Sequence, residues 1–147
     1  MLLTVETAES MNALGVRIST QLRIGDLVLL SGPLGAGKTA LTQGIGKGLG
    51  ITGITSPTFV ISRIHAGKIP LVHVDAYRLQ GDNAALFDDL DLDSFLVSSI
   101  VIIEWGEGLI QRIDSEYLEI DISILEDFQT RSVSIRPHGL RWQGFSV

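Results

Sequence analysis

The sequence contains no cysteine, which excludes disulfide bonds, thiolate metal sites and cysteine nucleophiles. Basic residues are also scarce, since 11 Lys and Arg stand against 17 Asp and Glu and leave a net charge of −6. Tight binding to nucleic acid requires clustered cations that neutralise phosphates. Direct binding of DNA or RNA is therefore disfavoured, and if RNA takes part in the function we expect another subunit to hold it.

Long apolar runs are missing as well, because no stretch approaches the roughly 18 residues of a membrane-spanning helix. The apolar start at residues 1–3 is followed by acids and has no basic segment. The sequence therefore predicts neither a signal peptide nor a membrane contact, and we expect a cytoplasmic protein. Repeats, low-complexity tracts and linkers are absent, so we expect one domain over residues 1–147.

What the sequence does contain is a complete phosphate-binding motif, G-P-L-G-A-G-K-T, at residues 32–39. Its glycines let successive N–H groups face a phosphate, while Lys38 reaches the outer phosphates and the Thr39 hydroxyl ligates Mg²⁺. Residues 26–31 predict a buried strand before the motif and residues 39–49 a helix after it, which is the context this motif requires. The residues expected to bind the nucleotide phosphates are Leu34, Gly35, Ala36, Gly37, Lys38, Thr39 and Ala40.

The predicted helix after the motif carries glycines at positions 44, 46 and 48. Each interior glycine costs a helix about 1 kcal/mol relative to alanine. We therefore expect the order of this helix to depend on packing or on a ligand.

The remaining patterns predict an α/β fold. Residues 7–18 have helical apolar spacing, and the apolar runs at 71–75 and 100–104 are typical of strands buried on both faces. Residues 117–124 and 131–135 alternate with a period of two, which predicts a hairpin. We expect a P-loop NTPase-like three-layer sandwich, in which a mostly parallel central sheet is closed by an antiparallel C-terminal hairpin.

Two carboxylates end predicted strands. Asp75 follows one apolar run and Glu104 closes the next, so a parallel sheet would bring both to its carboxyl edge beside the phosphate-binding loop. Each is a candidate catalytic residue that could hold the metal or orient the attacking water. The alternative is a strand-terminal acid that is solvated or caps a helix.

Two further segments have less specific patterns. Ser56, Pro57 and Thr58 lie where switch loops of phosphate-binding proteins often lie, although a simple turn is an equal alternative. Trp105, directly after Glu104, could cover the nucleotide or face a partner, but a half-buried core tryptophan is equally ordinary.

The segment around Asp75 offers three more polar side chains. Tyr77 and Arg78 could contact the nucleotide or a partner, with Arg78 as a charge-stabilising guanidinium. Surface pairing of Arg78 with nearby acids is the alternative. His73 lies mid-strand between valines, and we interpret it as a core histidine whose hydrogen bonds are satisfied.

Four segments, taken in order, closely resemble the TsaE (YjeE) family: residues 32–39, S-P-T-F at 56–59, H-V-D-A-Y-R-L at 73–79 and I-E-W at 103–105. The match spans nearly the whole chain, and the combination is distinctive although the phosphate-binding motif alone is widespread. The resemblance implies an ATPase of the bacterial tRNA threonylcarbamoyladenosine pathway that uses ATP and Mg²⁺. It implies Thr39 and Glu104 around Mg²⁺, Asp75 as an essential acid, and residues 56–58 as a switch-like loop.

The resemblance also implies partners. The chain would bind the TsaB–TsaD pair and hydrolyse ATP to keep that complex cycling, while TsaD transfers the threonylcarbamoyl group to a tRNA that this chain contacts only indirectly. Hydrolysis would be weak in isolation and activated by the pair. Thr7 would lie by the adenine, and Arg131 on the late hairpin would approach the nucleotide.

Two other hypotheses for the function remain open. A small-molecule kinase would share the loop and the size, but such kinases usually need a basic lid, and no arginine-rich segment follows the predicted sheet. A non-hydrolysing nucleotide-dependent adaptor would use the same loop for an interface. Turnover in the presence of partners would distinguish these classes.

Overall fold

In the computed structural model, which describes residues 1–57 and 61–147, one mixed sheet carries helices on both faces. The strands of this described part are β1 (Leu2–Val5), β2 (Leu27–Ser31), β3 (Ser62–His65), β4 (Leu71–Asp75), β5 (Ile100–Glu104), β6 (Tyr117–Ile124) and β7 (Arg131–His138). The helices are α1 (Ala8–Ser19), α2 (Lys38–Gly48), α3 (Ala84–Asp88) and α4 (Leu92–Leu96). Short 3₁₀ turns occupy Tyr77–Leu79, Gly81–Asn83, Ile110–Arg112 and Leu140–Trp142.

The strands are ordered β1-β7-β6-β2-β5-β4-β3 across the sheet. The four central strands β6, β2, β5 and β4 are parallel, and the pairs at both edges are antiparallel. The predicted parallel centre and the C-terminal hairpin of β6 and β7 are confirmed. The edge strand β1 was not predicted, because its four residues have no strong pattern and are ordered by pairing with β7 far along the chain.

Two separate apolar cores confirm the three-layer arrangement. One core lies between the sheet and the pair α1 and α2, and it includes Leu14, Leu41 and Ile102. The other lies beneath α3 and α4 and includes Phe87 and Ile103. Neighbouring strand residues such as Ile102 and Ile103 therefore enter opposite cores, as the period of a strand requires.

Helices α1 and α2 approach closely through glycine. A Cβ at Gly15 would overlap the carbonyl oxygen of Leu41, and one at Gly44 would overlap the carbonyl of Asn12. Packing against α1 therefore accounts for Gly44 inside α2, at the expense of helix propensity. Helix α1 begins at the N-cap Thr7, whose Oγ1 accepts a hydrogen bond from the Ser10 N–H at 3.0 Å. Neither these nor the other described helices have the length and apolar character to cross a membrane.

Candidate functional site

The loop between β2 and α2 has the backbone that its glycines permit. Gly32, Gly35 and Gly37 have φ of 141°, 77° and 110°, in a region that side-chain-bearing residues rarely adopt. Gly37 is the N-cap of α2 and supplies no side-chain cap, so the N–H groups at the start of α2 are not capped by the residue before them. This is the arrangement in which a loop and a helix N-terminus bind phosphate.

Lys38, the first residue of α2, is folded back over its own loop. Its Nζ donates hydrogen bonds to the carbonyl oxygens of Gly32 at 2.7 Å and Pro33 at 3.1 Å. The residue is only 7% exposed, and Nζ lies 4.8 Å from the centroid of the Trp105 ring. The cation is thus held by two carbonyls and an aromatic face.

The other residues predicted to bind phosphate line the same loop. Leu34 at its apex is 93% exposed and Ala36 is buried. Thr39 is exposed in the first turn of α2, so its hydroxyl is accessible to a metal ligand sphere. Ala40 is half-buried, and its carbonyl accepts from the Asn12 side chain at 3.3 Å, which joins this turn to α1.

Asp75 and Glu104 meet at the carboxyl edge of the sheet, as the sequence predicts. They are register partners in the parallel pair β4 and β5, and Glu104 also lies opposite Leu30 at the end of β2. Glu104 is 5% exposed. Asp75 is half-buried, and its Oδ1 accepts from the Tyr77 N–H at 3.0 Å. Neither acid is therefore simply a solvated strand end.

His73 proves to be part of this site. It is fully buried, and its Nε2 is 2.8 Å from Glu104 Oε1. Its Nδ1 has no hydrogen-bond partner among the described residues. The interpretation as a core histidine is right about burial and wrong about satisfied hydrogen bonds. The spacing H-x-D, with Glu104 at the end of the next strand, was the available signal, because residues two apart on a strand share a face.

Trp105 is held over the loop in an unusual backbone conformation. Its φ of 59° lies in the left-handed region, which is uncommon for bulky residues. The Gln80 side chain donates to the Trp105 carbonyl at 2.8 Å, and the Tyr77 ring meets the indole edge-on at 5.4 Å between centroids. Gln80 was not among the predicted residues, and its sequence position carries no signal for this contact.

Tyr77 and Arg78 are both exposed on the 3₁₀ turn after β4. Tyr77 reaches the site through Trp105. No ion pair involves Arg78 within the described part of the chain, so the alternative of surface pairing finds no support there.

Arg131, at the start of β7, donates hydrogen bonds from its guanidinium to carbonyl groups of the phosphate-binding loop. Its Nε donates to the Ala36 carbonyl at 3.2 Å and one terminal nitrogen donates to the Gly35 carbonyl at 3.3 Å. The other terminal nitrogen donates to the carbonyls of Phe128 and Gln129 in the hairpin loop. The guanidinium thus joins the hairpin to the loop.

The turn before Arg131 is ordered by Asp127. This carboxylate accepts from the N–H groups of Gln129 at 3.0 Å and Thr130 at 2.8 Å, and from the Thr130 hydroxyl at 2.5 Å. The hydroxyl contact is the main cause that lowers the pKa of Asp127. Thr7 lies two residues beyond Val5, the register partner of Arg131, and is exposed.

The predicted switch loop is described in part. Ser56 is half-buried and Pro57 is buried, whereas Thr58 lies outside the described residues. The segment is tied to α2 where the Gln43 side chain donates to the Ile54 carbonyl at 3.1 Å. It is tied to β4 where the Asp75 N–H donates to the Ile61 carbonyl at 2.8 Å. The described residues on either side of 58–60 are therefore bound to α2 and to the acid at the sheet edge.

The side chains at the sheet edge could supply part of the coordination shell of a magnesium ion. Within residues 1–57 and 61–147, no group of three or more His, Asp and Glu side chains could hold a metal alone. Magnesium beside a nucleotide takes only one or two protein ligands and completes its shell with water and phosphate oxygens. Glu104, with the Thr39 hydroxyl, matches that smaller requirement.

Fold and loop together define the class: this is an α/β protein of the P-loop NTPase type, with the phosphate-binding loop at the carboxyl edge of its parallel strands. A family model described as "Threonylcarbamoyl adenosine biosynthesis protein TsaE" matches residues 5–133. The chain belongs to the TsaE family.

Individual relatives agree with this assignment. The chain is 49% identical over 139 residues to the tRNA threonylcarbamoyladenosine biosynthesis protein TsaE of Streptomyces coelicolor, covering 90% of this chain and 93% of that protein. It is 44% identical over 137 residues to the TsaE protein of Mycobacterium tuberculosis, covering 87% and 82%. It also resembles the crystal structure of Bacillus subtilis YdiB, with a TM-score of 0.79, 30% identity, and coverage of 97% and 88%.

Proposed function

We propose that the chain is a Mg²⁺-dependent ATPase that acts with the TsaB–TsaD pair in the synthesis of threonylcarbamoyladenosine on tRNA. The observation that carries the proposal is the juxtaposition of a glycine-rich loop, a buried lysine and a buried carboxylate at one edge of the sheet. Membership of the TsaE family, whose relatives are named for this biosynthesis, supplies the pathway.

The loop residues bind the phosphates in this proposal. The N–H groups of residues 34–40 surround the phosphate oxygens, and Arg131 keeps the loop in place from the hairpin side. Lys38 exchanges its two carbonyl acceptors for phosphate oxygens, which are stronger acceptors because they are charged. We place the adenine beside Thr7.

The acids at the sheet edge serve the transfer to water. Thr39 and Glu104 would hold Mg²⁺, and the metal would neutralise charge on the outer phosphates. Asp75 keeps Oδ1 on the Tyr77 N–H and offers its other oxygen to orient a water. Trp105 with Tyr77 covers the phosphate end and excludes bulk water. Ser56, Pro57 and Thr58 act as the switch segment that responds to the outer phosphate. Arg78 is placed to compensate charge or to face a partner.

The acidic balance of the chain supports a partner-held tRNA. With a net charge of −6, the chain lacks the cations that tight phosphate contact requires. Leu34 at the apex of the loop and Tyr77 beside Trp105 are both exposed, and we assign these two apolar side chains to contact with the partner pair. We propose a cytoplasmic location as part of the same function.

The test is MgATP hydrolysis by the purified chain, with and without the matching TsaB–TsaD pair. Lys38→Ala serves as the blank, and Lys47→Ala, an exposed lysine at the far end of α2, serves as the matched control. We expect slow hydrolysis that the pair stimulates, lost in Lys38→Ala and kept in Lys47→Ala. Transfer of phosphate to a small metabolite would replace the proposal with a kinase. Nucleotide-dependent binding to the pair without any hydrolysis would replace it with an adaptor.

A further inference from the structure

His73 occupies a position where an apolar residue would fit with less penalty. It lies in the middle of β4 between Val72 and Val74, and it is fully buried. Buried polar nitrogens normally have hydrogen-bond partners, yet Nδ1 has none among the described residues. A histidine that served only packing would be expected to satisfy both ring nitrogens or to be replaced by an aliphatic side chain.

The one hydrogen bond that His73 makes is directed at the site. Nε2 is 2.8 Å from Oε1 of Glu104, which is 5% exposed. When Glu104 is ionised its oxygens can only accept, so Nε2 is then the donor of this hydrogen bond, while Nδ1 makes none among the described residues. Oε1 is thereby occupied, and Oε2 is the oxygen that remains for another ligand.

The sheet explains why these two side chains meet. In the parallel pair β4 and β5, His73 is the register partner of Ile102 and Asp75 that of Glu104. Residues two apart share a face, and Ile102 enters the core beneath α1 and α2. His73 and Glu104 therefore lie on the face that also carries α2, and the carboxylate turns back along the strands to reach the imidazole.

From this geometry we propose that His73 is a positioning residue for Glu104: it fixes one carboxylate oxygen so that the other is presented to Mg²⁺ in a single orientation. The proposal rests on the proposed function, in which Glu104 holds the metal. Hydrogen bonds to a metal-ligating side chain orient that ligand, and removal of such partners typically lowers metal affinity by about 10- to 100-fold. His73 itself touches neither nucleotide nor metal.

Two amide variants separate this role from packing. In His73→Gln the side-chain amide reaches the position of Nε2 and can still donate to Oε1, whereas in His73→Asn the amide ends near Nδ1 and cannot. Both variants bury one polar amide in the same strand. Their melting temperatures without ligand therefore report the shared packing change, and any difference in metal dependence reports the lost hydrogen bond.

The measurement is the dissociation constant of ADP for the full chain, in EDTA and across a Mg²⁺ titration. For His73→Asn we expect a rise of about tenfold or more in the Mg²⁺ concentration that gives half of the maximal change in ADP affinity. The dissociation constant of ADP in EDTA should stay within about twofold of the wild-type value. His73→Gln should restore the wild-type Mg²⁺ response to within about threefold. In a Glu104→Gln background, adding His73→Asn should not change the Mg²⁺ response further, because the carboxylate that His73 orients is gone.

The outcomes distinguish the two levels of the proposal. Equal Mg²⁺ responses in Asn and Gln variants that fold like the wild type would overturn the positioning role. Equal weakening of metal-free and Mg²⁺-dependent binding would also overturn it, since that pattern is general loss of structure. If Mg²⁺ does not change the affinity of the wild-type chain for ADP, the result contradicts the proposed function, in which Glu104 holds the metal, and not only the role of His73. Should His73→Asn not fold, the Mg²⁺ response of His73→Gln against that of the wild type still decides, because a shift of tenfold despite the retained donor would contradict the proposal.

Discussion

Lys38 rests against Trp105, with Nζ 4.8 Å from the centroid of the indole ring, while its hydrogen bonds go to the carbonyls of Gly32 and Pro33. The lysine that would bind phosphate is thus engaged by the loop that it serves. Occupation of the loop by phosphate requires those contacts to be exchanged, so the surroundings of Trp105 should report nucleotide binding.

We predict that ADP or ATP changes the fluorescence of Trp105. The other tryptophan, Trp142, is buried in the core beneath α1 and α2 and should be unaffected. In Trp105→Phe the nucleotide-induced change should disappear, while the dissociation constant rises less than about fivefold, since a cation–π contact contributes on the order of 1 kcal/mol. Emission is measured during nucleotide titration, and affinity is measured separately by calorimetry. A full signal in Trp105→Phe would show that Trp142 rather than Trp105 reports the nucleotide, and it would contradict the prediction.

A second prediction concerns Arg131, whose guanidinium donates to the Gly35 and Ala36 carbonyls of the phosphate-binding loop. Arg131→Lys keeps the charge but cannot reproduce the forked contacts to loop and hairpin. We expect it to weaken nucleotide binding about tenfold, because the loop loses a support of roughly 1.4 kcal/mol. Arg136→Lys, on the same strand, is the matched control and should leave affinity unchanged. If Arg131→Lys binds as the wild type does, Arg131 has no role in ordering the loop.

The sequence predicted much of this site because its signals are local. The glycines, Lys38 and Thr39 lie within one motif, and Glu104 ends an apolar run that is long enough to be recognised as a strand. The architecture followed from the same signals, since apolar runs of strand length alternated with helical spacing.

What the sequence could not supply were contacts between distant segments. The bond from His73 to Glu104 depends on the register of β4 against β5, and the bond from Arg131 to Ala36 joins residues 95 positions apart. Strand β1 is similar, because its four residues are ordered by β7 at the other end of the chain. Register and long-range pairing are tertiary properties, so neither appears in the periodicity of one segment.

A third prediction tests the close approach of α1 and α2. Gly44→Ala would drive a methyl group into the main chain of Asn12, and neither backbone can shift easily within a helix. We expect a loss of about 1 to 3 kcal/mol of unfolding free energy, or a melting temperature lower by roughly 5 °C. Lys47→Ala, at an exposed position on the same helix, is the control, because the substitution places no new atoms against α1. Thermal unfolding should show it to be within about 1 kcal/mol of the wild type. Equal losses in the two variants would contradict helix–helix contact as the reason for glycine at position 44.

The last prediction concerns the acid dependence of stability at Glu119, on the hairpin that carries Arg131. Arg136 binds both carboxylate oxygens, at 3.1 and 2.5 Å, and His138 Nε2 lies 2.7 Å from Oε2. The hydrogen bond from Arg136 is the main cause that lowers the pKa of Glu119 below its ordinary value of 4.5, while burial opposes the shift. A group whose pKa is lower in the folded state stabilises the fold above its unfolded pKa and loses that contribution as pH falls through the folded value.

Wild-type stability should therefore decline between about pH 5 and pH 3 by more than that of Glu119→Gln, which has no proton to gain there. The difference should be modest, about 0.5 to 1 kcal/mol, because Arg136 is half exposed and the pair is screened by solvent. Urea unfolding at stepped pH values measures it. Glu126→Gln, an exposed acid in the loop of the same hairpin, is the control and should follow the wild type. Parallel pH profiles for the wild type and Glu119→Gln would mean that the Arg136 contact does not favour the ionised carboxylate in solution.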